Sequence, residues 1–170
     1  MFRQSGQIAA AAMLIAGLCA PAAAREAVAF EPSVRAGTIV IVTHERRLYY
    51  VYDQGAAIRY PVGVGKAGKQ WHGTSRIDGK YVNPAWTPPP DVRRDHPEMP
   101  EIIPGGSPRN PMGVAALTLE GDLYAIHGTT QAMRKSVGTF ASYGCIRMLN
   151  EDIADLYQRV GVGTPVMVVP

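Results

Sequence analysis

The sequence predicts a single, mostly-β domain, and three observations carry that reading. The chain has 170 residues, within the usual size of one domain. Its 18 glycines and 14 prolines suit strands and turns, because helix interiors tolerate few of either. Its apolar residues gather in short β-branched or aromatic runs, and only one late segment has a helical period. A hydrophobic share of 46% and a charged share of 18% exclude a disordered polymer. The formal charge is +3, and the basic pairs Arg46-Arg47 and Arg93-Arg94 lie in no longer basic run. Without interleaved aromatics they do not point to nucleic acid.

The elements follow in order. Thr38–Val42 is β-branched, and Arg47–Tyr52 is apolar with aromatics. His44-Glu45-Arg46 supplies the polar turn between these two strands. Asp53-Gln54-Gly55 is the next turn, and Ala57–Val64 is a further strand that runs into glycines. Ser75–Val82 reads as another strand. Asn83–Gly113 carries nine prolines and reads as one long loop, of the kind that forms a lid or a cleft wall. Ala115–Leu119 and Asp122–Ile126 form a hairpin through Glu120-Gly121. Glu151–Val160 is the helix: Asn150 can cap it, Glu151 and Asp152 favour its first turn, and Ile153, Leu156, Tyr157 and Val160 share one face. Gly161 can end it, and Thr164–Val169 is a closing strand.

The first 24 residues read as a secretory signal peptide rather than as part of the fold. Met1–Gln7 is polar with one cation, Arg3. Ile8–Ala20 is uncharged and apolar, and small residues follow in Pro21–Ala24. The apolar run is shorter than the roughly 20 residues that span a bilayer. Cleavage after Ala24 or after Ala29 fits the small-x-small pattern, and the first is preferred. Leu18 is large where a lipoprotein signal wants a small residue before Cys19. Removal of the leader takes Cys19 with it and leaves Cys145 as the sole thiol in an oxidising compartment. By count alone that thiol is either buried and inert or kept for its reactivity.

Gly63-Val64-Gly65-Lys66-Ala67-Gly68-Lys69-Gln70 matches parts of two nucleotide-binding patterns. Both need a helix directly afterwards to hold the phosphate, and Trp71-His72-Gly73-Thr74 offers none. The segment therefore reads as strand, turn and loop.

Chemistry concentrates in Tyr124-Ala125-Ile126-His127-Gly128-Thr129 and Ser142-Tyr143-Gly144-Cys145-Ile146-Arg147-Met148. A thiol needs a base or a cation nearby to react as thiolate. His127 can serve, with its other ring nitrogen held by a backbone carbonyl. Gly144 removes a side chain beside Cys145, so substrate and backbone N–H groups can approach and form an oxyanion hole. The competing reading makes His127 a hydrogen-bonded strand-end residue and Cys145 part of the core.

These residues resemble the L,D-transpeptidase family with a YkuD-type catalytic domain. Its motif is His-Gly, a spacer, then Ser or Thr, often His, then Gly-Cys-hydrophobic-Arg or Asn. Here it reads His127-Gly128 and, after 14 residues, Ser142-Tyr143-Gly144-Cys145-Ile146-Arg147. Arg47–Tyr50, Tyr60–Val62, Val82–Pro84, Trp86, Asn110–Gly113 and the tail from Asn150 to Val166 look like further family features. The likeness runs from Gly37 to Val169.

The resemblance implies a sandwich-like, mostly-β catalytic domain over residues 37–169, with a cleft under a mobile flap. It implies Cys145 as nucleophile, His127 as general base and the Gly128 carbonyl as the group that orients the base. Main-chain N–H groups around Tyr143, Gly144 and Cys145 would form the oxyanion hole. Ser142 would position the loop or simply make a turn. Arg147 would support the loop, meet a substrate carboxylate or form a structural ion pair. Tyr143 departs from the many relatives that carry a second histidine there. The implied substrates are peptidoglycan stem peptides in the periplasm or cell envelope. The acceptor would be another stem, a D-amino acid or the lysine of an anchored lipoprotein. No cofactor is implied, and His44, His72 and His96 match no metal-ligand spacing. The alternatives are an amide hydrolase using the same site, and a non-catalytic wall-binding module, against which His127 and Cys145 argue.

Overall fold

The computed structural model describes residues 25–121 and 123–170; the expected leader, residues 1–24, and Asp122 lie outside the described residues. The strands are β1 (Glu26–Ala29), β2 (Thr38–Val42), β3 (Arg47–Asp53), β4 (Ala56–Pro61), β5 (Val64–Gly65), β6 (Gly73–Val82), β7 (Ala115–Leu119), β8 (Ala125–His127), β9 (Phe140–Ser142), β10 (Ile146–Arg147) and β11 (Pro165–Val169). The α-helices are α1 (Pro90–Asp95) and α2 (Asn150–Arg159). Nine strands form one sheet in the order β1-β4-β3-β2-β11-β6-β7-β8-β10, and β5 pairs with β9 apart from it. The protein is mostly β with short helices, as the sequence predicts.

β2 shows why the pattern works. Ile39 and Ile41 point into the larger core with Leu48, Leu117, Ile126, Met148, Ile153 and Leu156. Val40 points the other way, toward Tyr49, Val51 and Ala57, where Val28 and Phe30 of the N-terminal segment cover it. A strand buried on both faces reads as an unbroken apolar run rather than as an alternation. β2 lies between antiparallel β3 and parallel β11, in the middle of the sheet. Ile153 and Leu156, both fully buried, dock α2 on the larger core.

Several elements differ from expectation; the second hairpin strand, expected over Asp122–Ile126, is β8 at Ala125–His127, and the short β9 and β10 were not expected. The strand expected over Ala57–Val64 breaks after Pro61: Val62 donates to the Arg46 carbonyl, and Gly63 exchanges backbone hydrogen bonds of 2.8 and 2.9 Å with Arg147. A Cβ on Gly63 would lie 2.6 Å from the Ser136 carbonyl oxygen, so glycine permits this crossing toward β10. The proline-rich loop contains α1, which starts with proline in its first turn, where no N–H is needed. The same loop is closed by a Trp86–Ile103 bridge around buried Asn110, whose Nδ2 donates to the Pro84 carbonyl at 2.8 Å. β1 was not expected as a strand; it adds to the edge through β4. Asn150 does not cap α2. Leu149 holds the cap position without a side-chain bond, and Asn150 is used elsewhere. The glycine segment leads into β6 rather than into a helix, as expected.

Candidate active site

Sheet topology brings the two halves of the motif together. β8 and β10 are parallel neighbours, with Ile126 opposite Ile146 and His127 opposite Arg147. The Met148 N–H donates to the His127 carbonyl at 2.8 Å and extends this register. Cys145 therefore leaves the turn before β10 beside the start of β8. His127, Ser142, Tyr143, Cys145 and Arg147 line one cavity of about 300 Å³. Trp86, Pro89 to Val92 and Pro111-Met112 of the proline-rich segment form its opposite wall.

His127 is 4% exposed, and its Nδ1 lies 2.7 Å from the Gly128 carbonyl oxygen. That contact makes Nδ1 the protonated nitrogen and leaves Nε2 free to accept a proton. Burial pushes its pKa down to about 4, with the Arg147 charge acting in the same direction; the Gly128 and Pro111 carbonyls oppose this. Burial pushes the Cys145 thiol up, against a backbone contact with Ala125 and the charge of Arg147. At neutral pH the cavity therefore holds an uncharged thiol and an uncharged imidazole.

Ser142 shapes the loop that leads to Cys145 with one hydroxyl. Its Oγ donates to the Cys145 carbonyl at 2.6 Å and accepts from the Gly144 N–H at 3.1 Å. The Gly144 N–H is thus committed within the loop. Those of Tyr143 and Cys145 have no acceptor among the described residues. Gly144 has φ +123°, and a Cβ there would lie 2.2 Å from Cε1 of Tyr124. Both the backbone conformation and the contact demand glycine.

Arg147 is largely buried, and burial lowers its pKa. Its Nη1 makes only long contacts, 3.4 Å to Ser136 Oγ and 3.5 Å to the Ala141 carbonyl, and its Nε is buried without a partner. Among the described residues it forms no ion pair.

Two residues support the site without having been singled out for it. Trp71 Nε1 donates to the Gly144 carbonyl at 3.1 Å, and its ring stacks on that of Tyr124 at 4.9 Å, so both aromatics meet the loop at Gly144. Asn150 Oδ1 accepts from the N–H of Thr129 at 3.0 Å and more loosely from that of Val114. It thereby ties α2 to the segment that carries the Gly128 carbonyl. A large aromatic in a loop of lysines and glycines was the available signal for Trp71; Asn150 carried a signal that fitted a cap equally well.

A family model described as the L,D-transpeptidase catalytic domain matches residues 36–168. The probable L,D-transpeptidase ErfK/SrfK of Escherichia coli (strain K12) is 38% identical over 145 residues, covering 81% of this chain and 45% of that protein. The chain spans a little under half the length of such curated relatives. Among solved structures, a Brucella melitensis protein described as a probable carnitine operon oxidoreductase is 38% identical, with TM-score 0.58, covering 88% of this chain and 95% of that one. An L,D-transpeptidase from Mycobacterium smegmatis has TM-score 0.62 at 19% identity, covering 78% of this chain and 58% of that one, a likeness of fold. With the family model matched from residue 36 to 168 and that relative 38% identical, the chain belongs to the L,D-transpeptidase family.

Proposed function

We propose that the protein is an exported cysteine L,D-transpeptidase that acts on peptidoglycan stem peptides through a thioester. The carrying observation is that Cys145 lines one cavity with a buried His127 whose Nδ1 is held by the Gly128 carbonyl. In this reading His127 Nε2 takes the thiol proton as the sulfur attacks the carbonyl of the third stem residue. The N–H groups of Tyr143 and Cys145 receive the negative charge that develops on the carbonyl oxygen. His127 returns the proton to the departing amine, and the terminal D-alanine leaves with its carboxylate intact. An incoming amine then attacks the thioester and gives its proton to His127; the carbon–sulfur bond breaks as the new amide forms, and His127 returns the proton to the Cys145 sulfur, which leaves as the thiol. The acceptor is a second stem peptide, a D-amino acid or a lipoprotein lysine. Water in its place makes the same site a hydrolase.

Arg147 is the group for the donor's terminal carboxylate, since its guanidinium lines the cavity without a carboxylate of the described residues to neutralise it. Export rests on the leader. β1 begins at Glu26, so cleavage after Ala24 preserves that strand and cleavage after Ala29 removes it, which favours the first point. The test is incubation of the mature protein with purified muropeptides and mass analysis of the products. Cross-linked or amine-exchanged stems with released D-alanine are expected, and none with Cys145→Ala. Persistent turnover in that variant would overturn the mechanism, and hydrolysed stems alone would assign the hydrolase.

A further inference from the structure

The side chain of Tyr143, which lines the cavity, reaches toward α1. Its hydroxyl donates to Asp95 Oδ2 at 2.8 Å, at the last residue of α1. The Lys66 ammonium lies 3.8 Å from the centroid of the Tyr143 ring and 3.7 Å from Asp95 Oδ2. Lys69, three residues on, pairs with Asp91 in the first turn of α1. The Lys66 N–H also donates to the Ser142 carbonyl at 2.9 Å, which fixes the lysine loop to the nucleophile loop.

α1 has little else to hold it. It is six residues long and buries only Val92. A helix that short is not stable by itself, and one apolar side chain gives it a weak grip on the core. Its position against Cys145 therefore depends on the polar contacts at Asp91 and Asp95. The Tyr143 hydroxyl holds the Asp95 carboxyl below its usual range, in keeping with a hydrogen bond made to the carboxylate.

We propose that Tyr143 and Asp95 are positioning residues that lock the α1 wall of the cleft to the nucleophile loop, so that the donor peptide enters a pre-formed channel. The inference rests on the transpeptidase reading for its substrate, but the lock itself does not.

The test combines Asp95→Ala, Tyr143→Phe and the double variant, all in the mature protein. With a tetrapeptide muropeptide as donor, Asp95→Ala should raise KM about fivefold and leave kcat within about twofold. Tyr143→Phe should raise KM similarly, and the double variant should add little, because both substitutions remove one interaction. Amide hydrogen exchange over residues 90–96 should be about fivefold faster in each variant, while β2 and β3 stay unchanged. Unaltered exchange in α1 would overturn the proposal, and so would effects on KM that multiply. If the wild-type protein turns over no muropeptide, the transpeptidase reading fails, and the exchange measurement still decides the lock.

Discussion

His127 shows how one residue's surroundings decide its chemistry. The imidazole has an ordinary pKa near 6.5, and burial beside Arg147 pushes it down to about 4. In the proposed mechanism the base must be unprotonated to accept the thiol proton, so kcat/KM should fall on acidification through about pH 4 and show no inflection near 6.5. The raised Cys145 thiol stays protonated at neutral pH, which leaves a flat profile between. An acid limb between pH 6 and 7 would mean that the imidazole titrates near its ordinary value and that burial does not depress it. The same shift acts on stability. Between about pH 4 and 6.5 the unfolded chain binds a proton at this residue and the folded chain does not, so His127 costs stability as pH falls across that window. His127→Ala should slow acylation by about 10²–10⁴-fold, read by single-turnover release of D-alanine. These two motif residues were legible because their chemistry is local to short words in the sequence. The partners of Gly144 were not: the Tyr124 ring and the Trp71 indole reach it from 20 and 73 residues away.

At the scale of elements, strands with consistent local signals were read almost residue for residue. β2 and β7 have the predicted limits, because buried β-branched or small apolar runs leave few alternatives. The errors fall where long-range pairing overrides propensity. Pro61 to Gly63 continues an apolar run, yet the chain leaves β4 there to meet Arg147. Asn150 is the clearest case. Asparagine before a helical period signals a cap, but its carbonyl oxygen is taken by Thr129 and Val114, and Leu149 holds the cap position. Close backbone packing shapes this clamp: a Cβ on Gly113 or Gly128 would come within 2.2 or 2.3 Å of Asn150 Oδ1. Asn150→Ala should leave those N–H groups unpaired and cost about 1–3 kcal/mol in chemical denaturation. Because it also frees the segment bearing the Gly128 carbonyl, kcat should drop by about tenfold or more, the scale of a misplaced base. Asn150→Asp keeps an acceptor oxygen and should restore much of both. A full loss of stability with unchanged kcat would confine Asn150 to a structural role.

At the scale of the whole molecule, the sheet supplies a fixed floor and the proline-rich segment a wall. The cavity between them, about 300 Å³, holds both Cys145 and Arg147. This arrangement bears on donor length. The attacked carbonyl must sit about 3–3.5 Å from the sulfur with its oxygen toward the free N–H groups. In a tetrapeptide stem the terminal carboxylate lies one residue beyond the attacked bond. Arg147 stands two residues from Cys145, its Nε unpartnered, and its charge is not met by a carboxylate among the described residues. A carboxylate bound there places the third residue's carbonyl over the sulfur. A fifth residue moves the carboxylate by roughly 3.5 Å, so either the guanidinium or the oxyanion donors lose their partner. Tetrapeptide stems should therefore react about 10²-fold faster than pentapeptide stems, measured with each offered separately and released D-alanine or D-alanyl-D-alanine followed. Arg147→Gln should slow both and bring the two rates together, since the group that measures donor length is gone. Equal rates in the wild-type protein, or a preference for the pentapeptide, would place the carboxylate contact elsewhere and leave the Cys145–His127 chemistry intact. A tetrapeptide preference that survives Arg147→Gln would shift length selection to the opposite wall, where Trp86, Val92 and Met112 line the cavity.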